Sequence, residues 1–160
     1  MRKLCFALPF LLILSGCNPN KDLMPFLGKW LGSFEVSEIA GGGTAQDMKR
    51  ETLKGYVQVY ATNRLYKMEM EGEQEMIDIS GSWTIKGNKI TLTPKKVTID
   101  DQGGADKRDP NKKFILPNDA EVAYQHPLLL EESIDKKSLT GLKITIGKLI
   151  GTHRFVKDSF

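Results

Sequence analysis

The chain reads as an all-β protein, a barrel or sandwich of short antiparallel strands, and three observations carry that reading. Residues 80–94, SGSWTIKGNKITLTP, hold two alternating runs around Gly87-Asn88. A two-residue hairpin turn needs positive φ, which glycine supplies without a Cβ penalty. That register sets Ile85 opposite Ile90 and Trp83 opposite Leu92 on one side, with Thr84 and Thr91 on the other, and a one-residue slip would destroy it. A second hairpin joins Leu53–Ala61 to Arg64–Glu71 about Thr62-Asn63. Its alternation gathers Val57, Val59, Tyr66, Met68 and Met70 on one side and turns Lys67, Glu69 and Glu71 to water, the pattern of a sheet solvated on one face. Third, more short strands with turn signals between them follow, and no long segment has a helical period.

In chain order, Met1-Arg2-Lys3 supplies two positive charges, and Leu4–Leu14 is apolar except for Pro9, the layout of a bacterial export signal. A permanent span needs about 20 apolar residues, so this run is too short to be one. It ends in Leu14-Ser15-Gly16-Cys17, which resembles the lipobox of bacterial lipoproteins: a large aliphatic residue, two small ones, then cysteine. The resemblance implies a diacylglyceryl thioether on Cys17, cleavage between Gly16 and Cys17, and a further acyl group, palmitate or similar, on the new amino terminus. Two or three acyl chains, at about 0.8 kcal/mol per buried methylene, anchor a protein stably where one holds it marginally. Asn18 follows the cysteine where, in enteric bacteria, aspartate retains lipoproteins in the inner membrane. Its absence favours the outer membrane, facing the periplasm, in an organism that has one.

Residues 17–26 then form a lipidated tether, polar from Asn18 to Leu23, and residues 27–160 the folded domain. Met24-Pro25-Phe26-Leu27 suggests a short helical turn that covers something. Strands are expected at Leu31–Ile39, in the two hairpins, at Met76–Ser80 running towards the Trp83 strand, and at Val97–Asp100, Lys113–Leu116, Leu128–Ile134, Leu139–Ile146 and Thr152–Lys157. Asp135–Ser138 and Gly147-Lys148 are the last turns. Ala40–Asp47 and Asp101–Lys112 are rich in glycine and charge without apolar anchors, so both are expected as mobile loops.

Removing residues 1–16 leaves 144 of the 160, a length for one domain. It also removes Arg2 and Lys3 and no acid, so the net charge falls from +3 to +1. A nearly neutral chain gives no electrostatic case for nucleic acid. Cys5 leaves with the signal and Cys17 is consumed by lipid, so no thiol remains for a disulfide, a metal or a nucleophile, although export permits disulfides.

Gly28-Lys29-Trp30 in LGKWLGSFEV resembles the Gly-x-Trp signature of lipocalins and the wider calycin group. The resemblance implies an up-and-down antiparallel meander of about eight strands closing into a barrel. Trp30 would then pack across one end, with Arg154 of THRFVK lying over its indole. Gly81-Ser82-Trp83-Thr84-Ile85 before Gly87-Asn88 resembles the middle hairpin of small lipocalin-like bacterial lipoproteins.

Catalytic and metal chemistry find little support. His126 and His153 lie apart, and no compact spacing supplies the three or four ligands of a zinc site. Asp100, Asp101, Asp106 and Asp109 do not match a calcium loop, and Lys107 and Arg108 lie among them. Gly41-Gly42-Gly43-Thr44 lacks the lysine of a phosphate loop, and Ser133 and Ser138 lack an elbow motif. No cofactor is expected. An inward face of Val57, Val59, Tyr66, Met68, Met70, Trp83, Ile85, Ile90 and Leu92 fits either the wall of a cavity for one small hydrophobic ligand or an ordinary filled core.

The expectation is a non-enzymatic envelope lipoprotein that binds a small hydrophobic molecule inside its barrel. The alternative is a filled barrel that serves as an interaction or structural module, meeting another envelope protein through its loops. The least favoured reading is an enzyme at the barrel mouth using His126, Tyr124 or Glu121.

Overall fold

Gly28 opens the first strand with φ of +107°, a conformation only glycine adopts without strain, and this turns the chain into the sheet two residues before Trp30. The computed structural model describes residues 23–72, 75–101 and 117–159. Within them the elements are β1 (Gly28–Ile39), α1 (Ala45–Arg50), β2 (Leu53–Val59), β3 (Leu65–Glu71), β4 (Glu75–Lys86), β5 (Lys89–Asp101), α2 (Pro117–Tyr124), β6 (Leu128–Glu132), β7 (Ser138–Ile146) and β8 (Leu149–Lys157). Each strand pairs antiparallel with the next, and β8 returns to β1, closing an eight-stranded up-and-down barrel. The all-β barrel expected from the residues and from the Gly-x-Trp resemblance is therefore the fold observed.

Both hairpin registers are as the side-chain alternation requires. Ile85 faces Ile90, Thr84 faces Thr91 and Trp83 faces Leu92, and Gly87 takes φ of +62° in the two-residue turn. Val57 faces Met68 and Val59 faces Tyr66. Their turn is longer than two residues: it runs through a short 3-10 segment, Thr62–Arg64, with positive φ at Asn63 and Arg64, and the Tyr60 N–H donates to the Leu65 carbonyl at 2.9 Å.

Several local expectations are corrected. Met76–Ser80 and the Trp83 strand are one continuous β4, and Val97–Asp100 continues β5, because a bulge absorbs the break. The pairing steps from Ser80–Lys96 to Gly81–Pro94 and leaves Lys95 as the extra residue. Ala40–Asp47 is not a loop throughout: Thr44 and Asp47 form a reciprocal capping box, the Thr44 side chain accepting from the Asp47 N–H at 3.1 Å and Asp47 accepting from the Thr44 N–H at 2.9 Å, and α1 starts there. Asp101 ends β5. Residues 102–112 of the second expected loop, with Asp106, Lys107, Arg108 and Asp109, and the strand expected at Lys113–Leu116 lie outside the described residues. So do the signal segment, Gly16, Cys17 and the tether as far as residue 22.

The barrel has two ends. At the Gly28 end lie the start of β1, the 60–64 turn, the Gly87-Asn88 turn, the 133–137 turn and the end of β8. At the Ile39 end lie α1, α2 and the Gly147-Lys148 turn. β6 pairs with only Lys89–Leu92 of β5 and Leu139–Gly141 of β7, so the upper parts of those two longer strands diverge, and α2 packs against both.

Candidate functional site

The barrel interior is where the sequence placed its candidate residues. Alternation along each strand sends every second side chain inward, and eight of the nine expected lining residues are buried there: Val57, Val59, Tyr66, Met68, Met70, Trp83, Ile90 and Leu92 are 0–3 % exposed. Ile85, next to the turn, is half-buried. Phe34, Ile77, Leu130, Leu139, Ile146, Leu149 and Phe155 join them, each at 0 %. A void able to hold a ligand would expose its walls to a water-sized sphere. These side chains expose almost nothing, so they pack on one another and no such void adjoins them. Val36 is half-buried as well, and so are Val97, Ile99 and Ile144 on the two strands against which α2 packs.

Each end is closed by a different device. At the Gly28 end residues 23–26 form a turn, with the Phe26 N–H donating to the Leu23 carbonyl at 3.1 Å and the Phe26 ring buried. The Trp30 indole N–H donates to the Phe26 carbonyl at 2.9 Å, so the expected covering segment is held by the motif's own tryptophan. The cation over Trp30 is Lys157, not Arg154. Lys157 is the cross-strand partner of Trp30, its ammonium lies 5.2 Å from the indole centroid, and it donates to the Pro25 carbonyl at 2.7 Å. Arg154 sits between inward His153 and inward Phe155, so it must point outward, where it pairs with Glu35 at 3.3 Å. Trp83 also serves this end: its indole N–H donates to the Tyr60 carbonyl at 2.9 Å, and the Arg64 guanidinium lies 5.9 Å from its ring.

At the Ile39 end, Ala120 and Tyr124, four residues apart on α2, are buried against the barrel. The Tyr124 hydroxyl lies 3.1 Å from His153 Nε2, deep in the interior. His153 is flanked by Phe34 at 5.1 Å and stacked with Phe155 at 5.7 Å, and its Nδ1 has no hydrogen-bond partner. A charge in this aromatic cage would be desolvated with no compensating anion, so burial lowers the His153 pKa to about 3 and keeps the ring neutral. Burial pushes the Tyr124 and Tyr66 hydroxyls up for the same reason.

A second buried polar group went unnoticed in the sequence. In LLLEE, Leu128, Leu130 and Glu132 share the inward face, and the Glu132 side chain is buried at the Gly28 end with Oε1 unpartnered. Period-two reading of that run was the available signal.

The remaining candidates do not converge. Among the described residues no group of three or more His, Cys, Asp or Glu side chains could hold a metal. His126 and Glu121 are exposed while Tyr124 points inward, so the residues named for a catalytic mouth do not share one site. The Ser133 hydroxyl donates to Asp135, and the Ser133 and Asp135 side chains accept backbone N–H groups of the turn, which is a structural use. Outside the barrel, Tyr56 donates to Glu69 at 3.1 Å and Lys67 bridges Glu69 at 3.2 Å and Asp78 at 3.4 Å. These carboxylates raise the Lys67 pKa, the Glu69 hydrogen bond first. A scan against protein-family models finds no match for this chain, and a search of the curated proteins finds none.

Proposed function

We propose that the protein is a non-enzymatic lipoprotein of the bacterial cell envelope, held by acyl groups on Cys17, whose filled barrel acts as a rigid interaction or structural module. One observation carries the choice between the two readings of the barrel. Inner side chains from Val57 to Phe155 are inaccessible to a water-sized sphere, which supports a packed core over a ligand chamber. The short apolar run ending in Leu14-Ser15-Gly16-Cys17 supports export and lipid attachment.

Two measurements test the reading. Organic extraction of the purified protein, analysed by mass spectrometry, is expected to release no stoichiometric small molecule, the covalent acyl anchor staying with the protein and read from its intact mass, and a reproducible one-to-one lipid or cofactor would restore the ligand reading. Metabolic labelling with a palmitate analogue is expected to stain the wild type and not Cys17→Ser. Equal staining of both, or of neither, removes the anchor.

A further inference from the structure

We infer that the Gly28 end of the barrel is a docking face for the anionic surface of the bilayer that carries the anchor, so the domain stands on the membrane and does not drift from it. This rests on the proposed acylation of Cys17 for its geometry and on the surface for its chemistry.

The geometry follows from the tether. Leu23 is packed against the core at the Gly28 end, where its carbonyl accepts from Phe26. Cys17 is six residues earlier, and a fully extended chain gains at most about 3.6 Å per residue, so the leash is at most about 22 Å. β1 alone is twelve residues, a rise of about 40 Å along its own axis. A leash this short, fixed at that end, keeps the Gly28 end towards the lipid and the Ile39 end away from it.

The surface chemistry matches. Four large apolar side chains are exposed at the Gly28 end: Met24, Tyr60, Leu65 and Ile134, the last completely. Around them stand Lys29, Arg64, Lys86, Lys136 and Lys137, all exposed, with Lys157 half-buried beside Trp30. Among the described residues the acids at this end are Asp135, engaged by Ser133 and by backbone N–H groups, Asp158, Glu131, which is paired with Lys89, and Glu132, which faces inward. The balance reverses at the other end, where the eight acids Glu38, Asp47, Glu51, Glu71, Glu75, Asp100, Asp119 and Glu121 outnumber the five bases Lys49, Arg50, Lys54, Lys143 and Lys148 among the described residues. Scattered apolar tips within a basic rim suit a headgroup layer, which accepts the tips and attracts the charge.

The test uses the full acylated chain in vesicles. The folded domain has no cysteine of its own, so Ala61→Cys at the Gly28 end and Gln46→Cys at the Ile39 end each give a single labelling site. With an environment-sensitive fluorophore on either, and spin-labelled lipid as quencher in a three-to-one phosphatidylcholine and phosphatidylglycerol bilayer, the label at 61 is expected to be quenched several-fold more than the label at 46. Lys136→Glu with Lys137→Glu should lower the docked-to-free ratio at least on the order of 25-fold, about fivefold for each positive charge lost with the repulsion of the new carboxylates added to it, without moving the thermal midpoint. Equal quenching at the two sites, or quenching indifferent to the charge reversal, overturns the inference. Mass spectrometry of the same preparation reads the anchor separately. If the chain proves unacylated, Cys17 is a second free thiol, so the labels are repeated on the Cys17→Ser background, and selective quenching there removes the anchor and keeps the face. An acylated chain with equal quenching removes the face and keeps the anchor.

Discussion

Lowering the pH from 7.5 to 5 should destabilise the barrel through His153, and the size of the effect follows from its surroundings. Burial between Phe34, Phe155 and Tyr124 lowers its pKa to about 3, whereas the unfolded chain returns it to the ordinary value of about 6.5. Because the unfolded state binds the extra proton, stability is fully present above pH 6.5 and is lost progressively as pH falls from there towards 3. At pH 5 the loss is one and a half pH steps at about 1.36 kcal/mol each, or about 2 kcal/mol, on the order of a fifth or more of a typical domain's stability. Urea unfolding followed by tryptophan fluorescence, with Trp30 and Trp83 both buried reporters, measures it directly. His153→Leu should flatten the slope between pH 7.5 and 5 while leaving the Tyr124 hydroxyl unpaired, at a cost of about 1–3 kcal/mol at every pH. Adding Tyr124→Phe removes that orphan, so the double variant should be flat and regain most of the loss. A wild type whose stability is unchanged over this range, or a His153→Leu variant that keeps the full slope, would refute the neutral, caged imidazole.

Other outcomes follow from the ends of the barrel. Lys157→Ala should cost about 1–2 kcal/mol by thermal unfolding, since it removes both the ammonium over Trp30 and the bond to the Pro25 carbonyl, whereas Arg154→Ala should stay within about 0.5 kcal/mol because its ion pair with Glu35 is more than half exposed. Trp83→Ala should cost about 3–5 kcal/mol, as a buried indole and its bond to the Tyr60 carbonyl are lost together, and Trp83→Phe distinctly less. Gly28→Ala should cost about 1–3 kcal/mol from backbone strain alone, because a Cβ there meets no atom within 4 Å; an unchanged unfolding midpoint would show that the +107° conformation relaxes freely.

What could be read from the residues was what local rules determine. A two-residue turn with glycine first leaves one register that keeps Trp83, Ile85, Ile90 and Leu92 together, so that hairpin was legible to the residue. Met76–Ser80 and Val97–Asp100 were expected as pieces apart from the hairpin because no local signal marks the bulge at Lys95 through which β4 and β5 run on. α2 has a weak amphipathic pattern, and it is helical because Ala120 and Tyr124 plug a barrel that does not exist locally. The cation over Trp30 was assigned to Arg154 from the resemblance, yet parity was available: with His153 and Phe155 inward, Arg154 must face out, and only the register of β8 on β1 brings Lys157 to the indole. Thr44 and Asp47 carried a helix start that the neighbouring glycines obscured.

The pairing of β8 with β1 joins Trp30 to Lys157, 127 positions apart. Even the shortest link that closes the ring, Ile39 to Leu149, spans 110 positions, so a growing chain carries β1 with an unsatisfied edge until β8 has been made. Such distant pairing is slow, since loop closure precedes any reward from contacts. Closure is therefore the last step of assembly, and until then that open flank is exposed to pairing with another chain.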